Sequence, residues 1–205
     1  MRQFNSGQRP WKLVVRPLVA WTLSCGAILG APADKNIRQR IAEIAQSAVG
    51  WKGGHTSVYE EEALRRPACS FYTVGNDARL DTPLVNYAVV GDKIIGIGDG
   101  ETVAKILDIC SHDAPAVWSA EIVTRYHRDL GGGVVIRDEA TKPGLPGRMS
   151  EAGLTFIPPT MDKNKFSLTF LLWDPGLNVV YRIHATQHEN GPVRVEKTQV
   201  LPAAR

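Results

Sequence analysis

FSLTFLLWDPGLNVVYRIHATQHENGPVRVEKTQVL, residues 166–201, holds three runs rich in β-branched, aromatic and aliphatic residues, separated by two turn signals. Asp174-Pro175-Gly176 is the first and Asn190-Gly191-Pro192 the second. Both supply the residue types that reverse an extended chain. The spacing predicts strands over Phe166–Trp173, Val179–Gln187 and Val193–Leu201, joined as an antiparallel meander. The middle run alternates. Val179, Tyr181, Ile183 and Ala185 share one face and are expected in the core, while Val180, Arg182, His184 and Thr186, followed by His188, share the other.

Working back along the chain, Val117–His127 also alternates, Trp118, Ala120, Ile122, Thr124 and Tyr126 against Ser119, Glu121, Val123, Arg125 and His127. It reads as a further strand, linked through Gly131-Gly132-Gly133 to another at Val134–Arg137, and a loop with Pro143, Gly144, Pro146, Gly147 and Gly153 leads to Leu154–Ile157. Leu84–Val90 and Lys93–Ile97 flank Gly91-Asp92 as a hairpin, and Ser70–Val74 reads as a short strand. Two helices stand out. Ile37, Ile41, Ile44, Ala45 and Ala48 form an apolar stripe closed by Gly50, with Asp34 or Asn36 as the cap. Val103, Ile106, Leu107 and Cys110 form a second stripe, which puts Cys110 on the buried side of its helix. Glu61/Arg65 and Glu62/Arg66 are spaced for a short third helix stopped before Pro67. Early helices and consecutive late strands imply an α+β fold, a mostly antiparallel curved sheet packed by two or three helices and ending in the three-stranded meander.

Charge separates the chain into two parts. Residues 1–33 carry Arg2, Arg9, Lys12 and Arg16 and no acid, so against the chain's +3 overall, residues 34–205 stand at −1. The same 33 residues read as a basic start, an apolar run from Leu18 to Leu29 and Ala31-Pro32-Ala33 spaced like a cleavage site. This is a signal peptide, or else an uncleaved N-terminal anchor, followed by one α+β domain over residues 34–205. The expected compartment is therefore periplasmic or secreted. Without the leader and its Cys25, two cysteines remain, Cys69 and Cys110. In an oxidising compartment they can close one disulfide; otherwise they are two buried thiols.

Motifs that carry chemistry are few. Gly96-x-Gly98-x-Gly100 joins a strand to a helix, but its spacing is not that of a dinucleotide loop and no Gly-Lys-Ser/Thr follows, so it reads as a tight turn capped by Asp99 or Thr102. His184 and His188 would lie about 13 Å apart on a strand and cannot share a metal. Cys69 with His112 or His127 has the composition of a cysteine hydrolase, yet Phe71-Tyr72-Thr73-Val74 continues as a strand, without the helix dipole that activates such thiols. No basic stripe points to nucleic acid, and no cofactor or metal motif is present. The reading is an exported, non-catalytic binding or accessory domain for a small ligand or protein partner, with Arg182, His184, Thr186 and His188 as its candidate site; the alternative is a small extracytoplasmic hydrolase using Cys69. Expression in an exporting bacterial host is expected to yield an intact mass lacking residues 1–33. A retained leader in that mass would identify an anchor instead.

Overall fold

Each C-terminal run is a strand in the computed structural model, which describes residues 37–51, 54–77, 83–111, 113–138, 141, 145–189 and 191–202. The expected leader and the expected caps Asp34 and Asn36 lie outside the described residues. β7 (Ser167–Asp174), β8 (Val179–Thr186) and β9 (Arg194–Leu201) pair antiparallel in that order. Two short strands, β5 (Val134–Val135) and β6 (Thr160–Asp162), pair with the other edge of β7 and complete a five-stranded sheet. A four-stranded antiparallel sheet precedes it: β1 (Thr56–Glu60), β2 (Cys69–Asn76), β3 (Val85–Val90) and β4 (Lys93–Ile97). The fold is α+β, as expected. It has two antiparallel sheets where one was expected, because the chain between β4 and β5 is helical.

The helices are α1 (Ile37–Val49), α2 (Gly100–Cys110), α3 (Ala116–Tyr126) and α4 (Leu145–Glu151). α2 starts as its sequence predicts, with the Asp99 carboxylate accepting from the Thr102 amide at 2.8 Å and from the Thr102 hydroxyl. These bonds hold the Asp99 carboxyl below its ordinary pKa range. The cap's stabilisation is thus present above the unfolded carboxyl's pKa and is lost as pH falls through the lower folded value.

α3 corrects the strand expected over Val117–His127. Seven of its eleven residues are buried, so alternation and helical spacing both fit the same apolar pattern, and β-branched content tilts the local reading towards a strand. Tertiary packing decides the matter. Phe71 of β2 lies edge-on to Trp118 at 6.0 Å and stacks on Tyr126 at 5.9 Å. On a strand those two rings would be about 26 Å apart, on a helix about 12 Å, which is the span one phenyl ring can bridge. Trp118 also donates its indole N–H to the Leu64 carbonyl at 2.9 Å.

Two smaller corrections follow from the same region. The short helix expected around Glu60–Arg66 shrinks to a single 3₁₀ turn, Glu62–Leu64, because Glu60 ends β1 and Arg66 bridges Cys69. Its charges pair elsewhere, Arg65 with Glu60 and Glu61 with Arg125, while Arg66 reaches the Asp113 carbonyl. Residues 145–151, expected as loop, form α4, and Leu154–Ile157 form no strand.

Three apolar clusters organise the layers. The largest joins Phe71, Ala88 and Ile97 of the first sheet, the buried faces of α2 and α3, and Leu168, Phe170, Leu172, Ile183 and Ala185 of the second. α1 covers the opposite face of the first sheet, setting Ile41 and Ala45 on Tyr72, Val74 and Tyr87. α4 covers one end of the opposite face of the second sheet. Cys69 and Cys110 are bonded, tying β2 to the last residue of α2 across a Cα–Cα distance of 6.0 Å. Replacing both by Ala is expected to cost roughly 4 kcal/mol of unfolding free energy, from the closed loop of about 42 residues. Urea titration measures it; a loss under about 1 kcal/mol would show that the β2–α2 junction holds by packing alone.

Candidate functional site

The outer face of the second sheet changes character along its length. Residues directly opposite on paired strands project from one side, so the register defines cross-strand rows. Thr169, His184 and Glu196 form one row, Ser167, Thr186 and Arg194 a second, and Leu171, Arg182 and Thr198 a third. The first two are polar throughout. Arg182, Glu196 and Arg194 are exposed, whereas His184 and Thr186 are half-buried. The Thr169 hydroxyl and His184 Nδ1 are 3.0 Å apart, a hydrogen bond that orients the imidazole between two strands.

His188 stands apart from these rows. β8 ends at Thr186, after which Gln187 donates its amide to Phe166 O and Gly191 donates to His188 O at 2.8 Å. The chain turns there, with Glu189 at φ +46°. His188 therefore lines a different hollow, with Asp108, Lys163 and Phe166. The structure brings Arg182, His184 and Thr186 together on one strand face and leaves His188 beyond its end.

Beyond Arg182 the same face becomes apolar. Leu171, Val180 and Leu201 are buried with Leu145 and Met149 of α4, and Trp173 packs against them. Arg148 anchors α4 by donating to Asn178 Oδ1 at 3.1 Å and to the Pro202 carbonyl at 2.6 Å. The helix ends in a Schellman motif. Leu154 N–H donates to Met149 O at 2.8 Å, Gly153 N–H donates to Ser150 O at 2.9 Å, and Gly153 adopts φ +66°. In that motif the residue after the glycine contacts the residue three before the helix end, here Leu154 and Met149. Between them, Ile136 and Phe156 lies a cavity of about 400 Å³. The sequence signal for this wall was present in Met149-x-x-x-Gly153-Leu154, the spacing of such a cap.

The remaining candidates resolve structurally. The glycine loop is a strand-to-helix turn whose third glycine is required by proximity: a Cβ on Gly100 would lie 2.7 Å from the Val193 carbonyl oxygen. Val193 N–H donates to Gly100 O at 3.0 Å. His127, only 6% exposed, holds the same residue through Nε2 and Val193 O at 3.0 Å, while its Nδ1 lies 3.4 Å from the Asp129 amide. Cys69 is bonded to Cys110, so its sulfur is not a thiolate, and His112 lies outside the described residues. Burial raises the pKa of the Tyr126 phenol and keeps it protonated. Among the described residues no group of three metal-ligating side chains is present, and no helix is long and apolar enough to cross a membrane.

Compared with protein-family models, with characterised proteins and with solved structures, the chain matches none. Any reading of function therefore rests on the geometry above. Arg182→Ala is expected to change unfolding free energy by less than about 0.5 kcal/mol, and His184→Ala to cost about 1 kcal/mol through the lost Thr169 bond. Urea unfolding checks both. A loss above about 3 kcal/mol at either position would mean that the face is covered.

Proposed function

We propose that this protein is an extracytoplasmic, non-catalytic binding module whose ligand or partner contacts the open polar end of the outer sheet face. One observation carries the reading: the rows Thr169–His184–Glu196 and Ser167–Thr186–Arg194 run out to exposed Glu196 and Arg194, whereas α4 buries the other end of the same face. A sheet face that presents hydroxyls, an imidazole and both signs of charge offers donors and acceptors in fixed register. The rigid ladder beneath holds them without loss of backbone entropy on binding.

The disulfide supports export, because such bonds persist in oxidising compartments, and so does the signal-like sequence of residues 1–33. It also favours binding over thiol chemistry, since a hydrolase using Cys69 needs a free thiolate. The test is benzophenone photo-crosslinking in the extracytoplasmic fraction of the source cells, from a probe at Thr198 on the face and from a control probe at Glu62 in the 3₁₀ turn. A discrete adduct from position 198, absent from position 62 and lost on Arg182→Ala with His184→Ala, is the expected result. Equal labelling from both positions, or hydrolytic activity abolished by iodoacetamide, would overturn the proposal.

A further inference from the structure

The cavity beneath α4 has its own chemistry, distinct from that of the polar rows. Its wall combines the apolar side chains of Ile136, Leu145, Met149, Leu154 and Phe156 with polar surface in about equal measure, and its volume of about 400 Å³ is in the range of small-molecule sites. Gly153 contributes no side chain to it, and a Cβ there would meet nothing within 4 Å, so the cap that closes the helix also keeps the space open. Ser150 and Thr155 add hydroxyls to the wall.

One charged residue, Asp138, stands among the lining residues. The Thr141 hydroxyl orients it, 3.1 Å from Oδ1. Among the described residues, the adjacent base Arg137 and the α4 base Arg148 are engaged elsewhere. Arg137 donates to Glu121 through Nε at 3.1 Å and Nη2 at 2.8 Å, and Arg148 is committed to Asn178 and Pro202. The negative charge at the mouth is therefore not neutralised by either of them. A ligand that fills the apolar wall and meets Asp138 needs a cationic end.

We propose that this cavity binds a small organic cation, an apolar body of about one or two rings bearing a single protonated amine, with the body against Met149 and Phe156 and the ammonium at Asp138. The proposal stands whether or not the polar face binds a partner. The methionines make it testable on the intact protein: Met149 lines this cavity, whereas Met161 lines a separate hollow with Asp108 and Lys163. With [¹³C-methyl]-methionine labelling, the Met149 signal is expected to shift saturably on titration with 2-naphthylmethylamine while Met161 stays fixed. 2-Naphthoate, similar in size and opposite in charge, is expected to bind up to about fivefold more weakly, the upper end for one exposed ion pair. Asp138→Asn should remove that preference and keep residual binding, and Thr155→Trp, at an exposed position on the wall, should block binding without unfolding the protein. No saturable shift at Met149, equal affinity for amine and carboxylate, or a preference that survives Asp138→Asn would each overturn the proposal.

Discussion

The ring of Phe71, held between Trp118 and Tyr126, is the contact on which the rest of the structure depends. It brings the first sheet onto α3, and α3 in turn shares its core with Leu168, Phe170 and Leu172 of the second sheet. Neither sheet could bury its inner face alone. Burial of large apolar side chains contributes about 1.5–3 kcal/mol each, so a helix buried over most of its circumference, supplying apolar surface to both sheets, joins them into one core. The disulfide reinforces the same junction, because Cys69 lies two residues from Phe71 and Cys110 ends the neighbouring helix.

From that core the outer strand is positioned by a second, polar constraint. Val193, just before β9, is clasped on both its backbone groups, its amide by Gly100 O and its carbonyl by the His127 ring. Both partners are fixed by α2 and α3. The clasp thus carries the geometry of the helical layer out to the strand that presents Glu196 and Arg194, and the polar rows inherit their register from a histidine and a glycine of that layer. A buried histidine in this role is a structural hydrogen-bond donor, which is why one of the two histidines offered as a partner of Cys69 has a packing function instead.

The two ends of the outer face follow from the same economy of surface. α4 is seven residues long and cannot cover three strands. It buries the end nearest Arg148's anchor points and does not reach the other, and the side chains divide accordingly, Leu171, Val180 and Leu201 beneath it and threonine, serine, histidine and arginine beyond. The cavity lies where the helix cap cannot fill the last space against Ile136 and Phe156.

Local sequence suffices for the meander, its turns, the alternation along β8, the hairpin of β3 and β4, and the stripes and stop of α1 and α2. Each of these is written in neighbours a few residues apart: alternation sets which face a strand residue takes, and Gly50, Gly91 and Asp99 act within one turn. Long-range packing is what makes Val117–His127 helical, divides the strands into two sheets, brings Cys69 to Cys110, takes His188 off the face and gives α4 its cavity. Those outcomes depend on partners remote in the chain, such as Trp118 with Leu64, His127 with Val193, and Arg148 with Pro202. A residue's own neighbours limit its conformations to a short list, and the choice among them is made by burial against surfaces that exist only once the chain has folded.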